Sequence, residues 1–168
     1  GDFPKVLKDA VIAAEDKRFY DHWGVDVVGV ARAAIGNVVA GGLQSGASTI
    51  TQQVAKNFYL SNERTFTRKF NEALLAYKIE QTLSKDQILE LYFNQIYLGQ
   101  RAYGFASAAQ IYFNKNVKDL TLAEASMLAG LPKAPSAYNP IVNPERAKQR
   151  QAYILRNMQE ENMITEQQ

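Results

Sequence analysis

The stretch AEDKRFYDHWG, residues 14–24, follows a segment with helical periodicity. Apolar residues at positions 6, 7, 10, 13 and 14 share one face of a helix that is predicted to begin near Pro4 and run toward Phe19. A glutamate at the end of such a helix can lie at the edge of a cleft, where an ionised carboxylate can take a proton from a hydroxyl group. The alternative is that Glu15 and Asp16 pair with nearby bases on a solvated face and that His22 is a packed side chain. On this stretch alone the alternative is favoured.

Helical patterns continue along nearly the whole chain. Asp26 can cap a second helix that stops at the glycine pair 41–42, and a long helix is predicted from Thr65 or Thr67 to about Leu83. Capping signals precede further helices: Thr49-x-x-Gln52, Ser84-x-x-Gln87, Thr121-x-x-Glu124 and Asn143-Pro144. The chain has no sustained alternation of apolar and polar residues, so no large sheet is predicted. We therefore expect a mostly α fold in a single domain over residues 1–168, with 36–47 as its most mobile segment.

Composition excludes several classes of protein. The 168 residues are 46% hydrophobic and 21% charged, which is typical of a globular domain. The absence of cysteine excludes a disulfide scaffold, a thiolate metal site and a cysteine nucleophile. A net charge of +2 gives only weak overall attraction to nucleic acid, so an anion site requires a local cluster of bases. The lack of an initiating methionine and the abrupt end at Gln168 suggest an excised fragment of a longer protein, with a membrane anchor or a partner domain as the missing part.

Residues 46–57 combine an apolar edge with many hydrogen-bonding side chains. Gln52 is four residues from Lys56, and Gln53 is four residues from Asn57, so each pair is adjacent on a helix. Such a helix suits a polyhydroxylated or phosphorylated ligand, and its first amides can hold an anion. The alternative is an ordinary capped surface helix.

A basic band follows this polar helix. Six bases oppose three acids between Lys56 and Lys85. Arg64, Arg68 and Glu72 are spaced by four residues, so all three can share a helix face. Arginines at this spacing can clamp a diphosphate, whereas the alternative is an Arg68–Glu72 pair on a solvated face. The chain has no phosphate-binding Gly-x-x-x-x-Gly-Lys loop, no dinucleotide-binding turn and no nucleophile elbow, and its single histidine excludes a His-x-x-x-His zinc pair.

Taken together, the motifs resemble the peptidoglycan glycosyltransferase domain of class A penicillin-binding proteins and their monofunctional relatives. Five segments match this family in order and cover nearly the whole chain: residues 15–24, 46–57, 68–72, 85–94 and 108–115. Ala47, Phe93 and Asn114 stand where glycine, leucine and glycine are expected, which affects only local packing.

The resemblance implies a lysozyme-like, mostly α glycosyltransferase fold with a larger globular lobe and a smaller membrane-facing lobe. It implies polymerisation of lipid II with inversion and release of undecaprenyl diphosphate. Glu15 matches the general base, and Glu72 matches a second glutamate that orients the donor diphosphate directly or by helping a metal. Asp16 is expected to support Glu15 at the substrate groove. The remaining positions at or beside this groove are Arg32, Ser48, Gln52, Gln53, Lys56, Asn57, Arg64, Arg68 and Lys69.

The same resemblance implies which partners the protein has and where in the cell it is located. No protein metal site is predicted, and a divalent cation (Mg²⁺ or Mn²⁺) at the donor diphosphate is left open. The expected partners are lipid II, the growing glycan strand, the membrane surface and a transpeptidase domain in the same parent chain, with no nucleic acid. The expected location is the outer face of the bacterial cytoplasmic membrane. The apolar stretch Val27 to Leu43 suits a bilayer surface or, equally, an ordinary buried helix.

Two alternatives to this function come from different classes. A lysozyme-like glycosidase also uses paired carboxylates, but hydrolysis of a neutral sugar bond does not require a basic band. A non-catalytic glycan- or lipid-binding module has no need for both Glu15 and Glu72.

Overall fold

The computed structural model describes residues 3–28, 31, 48–58 and 66–168. The second predicted helix and the 36–47 segment therefore lie almost entirely outside the described residues, as do Arg32 and Arg64. In the described ranges the chain is mostly helical, and their only β feature is an isolated antiparallel bridge between Tyr97 and Tyr103. The mostly α prediction is confirmed. Two compact units divide the chain, one made of residues 1–17 and 93–168 and the other of residues 18–92.

The first unit is built around helix α1, Lys5–Glu15. Its buried face consists of Leu7, Ala10, Val11, Ile12 and Ala13. This face packs against α6, Leu122–Ala129, and α7, Pro144–Glu160, which also contact each other. The first unit thus has a core of three mutually packed helices.

Helix α5, Phe105–Phe113, completes this unit and contacts α6 and a short 3₁₀ helix, Val117–Asp119. Edge-to-face aromatic contacts connect the chain start to α5, because Phe93 lies 5.0 Å from Phe3 and 5.1 Å from Phe105 between ring centroids. These contacts hold the beginning of the chain against its second half.

The second unit contains α2, Ile50–Lys56, packed against α3, Phe66–Thr82, and most of α4, Lys85–Gln95. Its buried residues include Phe19, Ile50, Val54, Ile79 and Ile88. The predicted long helix is confirmed by α3. The Thr49/Gln52 and Thr121/Glu124 capping boxes form as predicted. In the Ser84/Gln87 pair, each side chain likewise accepts a hydrogen bond from the backbone amide of the other residue.

The first helix ends earlier than its periodicity predicts. It stops at Glu15 instead of continuing toward Phe19, because Asp16 adopts φ −161° and ψ 78°, outside the helical region. The amide of Asp16 still donates to Ile12, so this bond closes the last turn. As a result Glu15 occupies the C-terminal end of α1.

Candidate active site

Glu15 is a nearly buried carboxylate at the C-terminal end of α1. Its side chain is 9% exposed, and Nη2 of Arg150 lies 3.5 Å from its Oε2. Burial of an ionised carboxylate is costly unless a cation or hydrogen-bond donors compensate it. Arg150, from α7 in the same unit, supplies such a cation, so Glu15 can remain charged in a site from which most water is excluded.

Asp16, the second acid of this motif, is also buried, with 6% of its surface exposed. The alternative of a solvated face is therefore wrong for Glu15 and Asp16. Burial alone does not assign Asp16 a role, and its support of Glu15 stays a prediction.

The second half of the first motif packs inside the second unit. Phe19 is fully buried and lies under the ammonium of Lys85, which is 4.7 Å from the ring centroid. His22 is 6% exposed, as expected for a packed histidine. Gly24 has φ +120°, and a Cβ added there would lie 3.0 Å from the backbone of Ala76 on α3. Glycine at this position therefore allows the motif to lie directly against the helix that carries Glu72.

The polar helix α2 uses part of its hydrogen-bonding capacity internally. The Thr49 hydroxyl donates to the carbonyl of Gly24 at 2.7 Å and accepts from the amide of Gln52. The side-chain oxygen of Gln52 accepts from the Thr49 amide at 2.9 Å, and that of Gln53 accepts from the Tyr92 hydroxyl at 3.3 Å. The remaining polar residues of this helix end, Lys56 and Asn57, are exposed. These two side chains are therefore accessible to a ligand.

A lysine connects the second and third motifs. Lys69 donates to the hydroxyl of Ser48, and its Nζ lies 3.8 Å from Oε2 of Glu72. The Glu72 side chain is only 6% exposed, whereas that of Lys69 is 56% exposed. Three predicted site residues are thus brought together, with the carboxylate inside and the ammonium facing solvent. Arg68, one residue earlier on α3, is half-buried.

Glu15 belongs to the first unit, and the polar and basic residues from Ser48 to Glu72 belong to the second. Within its unit, each carboxylate is nearly buried beside a cation. Sequence reasoning missed Arg150, the cation beside Glu15, because nothing in the local pattern of α7 distinguishes it from the other bases of that helix. It also missed the partly buried ion pair of Glu80 and Lys85 in the second unit.

The described residues contain no group of three or more His, Cys, Asp or Glu side chains that could hold a metal ion. Glu72 alone offers one carboxylate, which fits a divalent cation that takes its other ligands from diphosphate oxygens and water. Such a cation would supply charge neutralisation at the leaving group. This role stays a prediction.

A helical domain that carries two nearly buried carboxylates and a basic, polar helix pair defines a candidate enzyme acting on saccharides. The comparisons with known proteins agree with this class. The family described as transglycosylase matches residues 1–159. The chain therefore belongs to the transglycosylase family, the glycosyltransferase domain of class A penicillin-binding proteins, as its motifs predict.

The relatives place this domain within longer chains. Penicillin-binding protein 1A of Neisseria flavescens is 90% identical over 167 residues, which are 99% of this chain and 21% of the relative. A protein named as a transglycosylase in Cupriavidus necator is 60% identical over 165 residues, 98% of this chain and 71% of the relative. The crystal structure of penicillin-binding protein 1A from Haemophilus influenzae matches with a TM-score of 0.58 and 29% identity, covering 99% of this chain and 15% of that one. The chain spans about a fifth of the length of the Neisseria relative.

Proposed function

We propose that this domain polymerises lipid II into glycan strands and releases undecaprenyl diphosphate. The observation that carries the proposal is the nearly buried Glu15 carboxylate beside Arg150 in a member of the transglycosylase family. The acceptor is a neutral sugar hydroxyl, which requires a base, and the donor leaves as a diphosphate, which requires cations.

In the proposed reaction, the 4-hydroxyl oxygen of the acceptor sugar attacks the anomeric carbon of the growing chain. The bond from that carbon to the diphosphate oxygen breaks as the new glycosidic bond forms, and the configuration inverts. The hydroxyl proton passes to the carboxylate of Glu15. The electron pair of the broken bond leaves with the lipid diphosphate, whose added charge is stabilised by cationic side chains.

Glu72 acts in this scheme through its neighbours. A carboxylate repels a diphosphate, so direct contact between them is unfavourable. Lys69, whose Nζ is 3.8 Å from Glu72, is exposed and can contact a phosphate while Glu72 and Ser48 hold it in place. Lys56, Asn57 and Arg68 extend the proposed polar surface for the substrate. Gln52, Gln53, Arg32 and Arg64 are proposed substrate positions from the motif match, and the last two lie outside the described residues.

The domain is proposed to work at the outer face of the bacterial cytoplasmic membrane, where its lipid-linked substrate lies. Phe70, Leu74 and Tyr77 on α3 are 64%, 46% and 45% exposed, and their spacing places them on one helix face. Trp23 packs edge-on against Tyr77 at 5.6 Å and widens this apolar surface. An apolar face flanked by lysines suits a lipid surface. None of the described helices has both the length and the hydropathy to cross a bilayer. A transpeptidase domain in the same parent chain is part of the proposal.

The experiment that tests the function compares two substrates in the full-length protein. Incubation with lipid II should yield glycan polymer and free undecaprenyl diphosphate, while incubation with finished glycan strands should leave their length unchanged. Shortened strands without any polymer would support the glycosidase alternative and overturn the proposal. Binding of lipid II without either product would support the binding-module alternative.

A further inference from the structure

The end of α1 lacks the features that usually complete a helix C-terminus. No basic residue occurs in its last turn, and the residue that follows, Asp16, is neither glycine nor in the left-handed conformation. The last carbonyls of a helix have no partner within the helix and carry partial negative charge. Glu15 adds a full negative charge at this same end. The helix terminus therefore requires donors and positive charge from another element.

Helix α7 provides both. Nδ2 of Asn157 donates to the carbonyl of Ala13 at 3.1 Å, and Nη2 of Arg150 donates to the carbonyl of Ala14 at 3.3 Å. Nη2 of Arg150 is also the atom that lies 3.5 Å from Glu15. Two side chains of one helix thus contact the carbonyls of the two residues that precede Glu15, and one of them also contacts its carboxylate.

Both side chains are held in place by their surroundings. Asn157 is 4% exposed, and the side chain of Arg150 is 10% exposed. The guanidinium carbon of Arg150 lies 4.7 Å from the Tyr153 ring centroid and 5.9 Å from that of Tyr138. A Cβ at Gly130 would lie 2.9 Å from Cγ of Arg150, so glycine there leaves room for the arginine stem.

Arg150 does not contact the Glu15 carboxylate in the geometry that gives the strongest arginine–carboxylate pair. Nη2 serves both acceptors, while Nε is buried without a hydrogen-bond partner among the described residues. A two-pronged contact with the carboxylate would use both donors and give a stronger pair. Instead, one nitrogen of Arg150 contacts both the Glu15 carboxylate and a backbone carbonyl at the end of the same helix.

We propose that Arg150 and Asn157 form a clamp that positions Glu15 for proton abstraction. The clamp acts through the backbone of Ala13 and Ala14 and through the ion pair, so both of its members are positioning residues. This inference rests on the proposed function of Glu15 as general base. If the clamp is lost, the carboxylate remains present but is no longer held within reach of the acceptor hydroxyl, so turnover falls while substrate binding does not.

The test uses steady-state kinetics of lipid II polymerisation by the full-length protein. Arg150→Ala is expected to lower kcat by about 100-fold with KM nearly unchanged, since a misplacement of about 1 Å costs this much. Asn157→Leu, which keeps the side-chain volume and removes the donor, is expected to lower kcat in the same direction by about tenfold. Arg146→Ala is the matched control: Arg146 is exposed on the same helix and lies over Tyr138 at 5.7 Å.

Two further measurements separate positioning from simple loss of folding. Guanidinium ion at a non-denaturing concentration should restore part of the turnover of Arg150→Ala, which a globally destabilised protein would not show. Arg150→Lys, which keeps the charge but lacks the planar group, should have an intermediate kcat. If the Ala variant does not fold, the kcat of the Lys variant decides the question.

The outcomes are distinguishable from failure of the proposed function. If Glu15→Gln is inactive while the Arg150 and Asn157 variants turn over at the parental rate, the clamp is overturned and the function of Glu15 stands. If Glu15→Gln itself turns over at the parental rate, the proposed function fails and the clamp with it. A rise in KM at parental kcat would also overturn the clamp.

Discussion

The amide of Gly24 donates to Nδ1 of His22 at 3.0 Å, so the histidine ring is held against the backbone of the glycine two residues later. The same nitrogen lies 3.5 Å from Oε2 of Glu80. The positive charge beside Glu80 comes from Lys85, whose ammonium bonds Glu80 and lies 3.3 Å from Nδ1.

We expect Lys85→Met to destabilise the protein strongly. The Glu80 side chain is 8% exposed and that of Lys85 is 21% exposed, so the substitution leaves a buried carboxylate without its cation. A loss of about 3 kcal/mol in the free energy of unfolding is expected from urea denaturation. In a Lys85→Met/Glu80→Gln double variant part of this loss should be recovered. Lys133→Met, at an exposed lysine, is the control. If Lys85→Met alone is as stable as the parent, Lys85 does not supply the charge that compensates the Glu80 carboxylate.

Lys69→Met tests the contact proposed for the donor diphosphate. Loss of one charge-assisted hydrogen bond should raise KM for lipid II by about tenfold. Removal of the cation 3.8 Å from the nearly buried Glu72 carboxylate should also lower the thermal midpoint, so KM is compared at a temperature at which the variant and the parent are both folded. The matched control is Lys78→Met, an exposed lysine on the same helix. Equal KM values for the two variants would remove Lys69 from the substrate surface.

Glu124→Gln separates a charge effect from a helix cap. The hydrogen bond from Lys115 and those from Thr121 hold the pKa of Glu124 below its ordinary value of 4.5. Stability from this ionisation is present above the ordinary value and is lost as the pH falls toward and through the lowered pKa. Glutamine can still cap α6, so at neutral pH the free energy of unfolding of the variant should be lower than that of the parent by less than about 1 kcal/mol.

Thermal melts from neutral to acidic pH check this expectation. The difference between the parent and Glu124→Gln should shrink as the pH falls below 4.5, the ordinary value for glutamate. Glu160→Gln, at an exposed position of α7, serves as the control and should show little difference from the parent at any pH. A difference that grows on acidification has the wrong sign for a lowered pKa and would refute the assignment.

Sequence reasoning succeeded where the deciding contacts are local. The capping boxes at Thr49, Ser84 and Thr121 depend on a residue only three positions away, so their patterns could be recognised directly. The motifs predict Ser48, Lys69 and Glu72 as site residues, but they do not predict that one ammonium contacts both of the other two side chains.

The parts that sequence could not supply depend on contacts between distant positions. Arg150 contacts Ala14 across 136 positions, and Asn157 contacts Ala13 across 144, so no periodic pattern reports them. Helix α1 ends early because the backbone of Asp16 leaves the helical region, although the helical pattern of side chains continues past this residue. The approach of Lys85 to His22 similarly joins positions 63 apart.

The central claim is that the carboxylate of Glu15 removes the proton from the acceptor hydroxyl. The most direct measurement is the rate of lipid II polymerisation by full-length Glu15→Gln, alongside its affinity for lipid II. Asp9→Asn is a matched control, since Asp9 lies on the same helix and pairs with Lys5. The account predicts that Glu15→Gln binds lipid II as the parent does and polymerises it at least about 100-fold more slowly, with Asp9→Asn unaffected. Polymerisation by Glu15→Gln at the parental rate would contradict it.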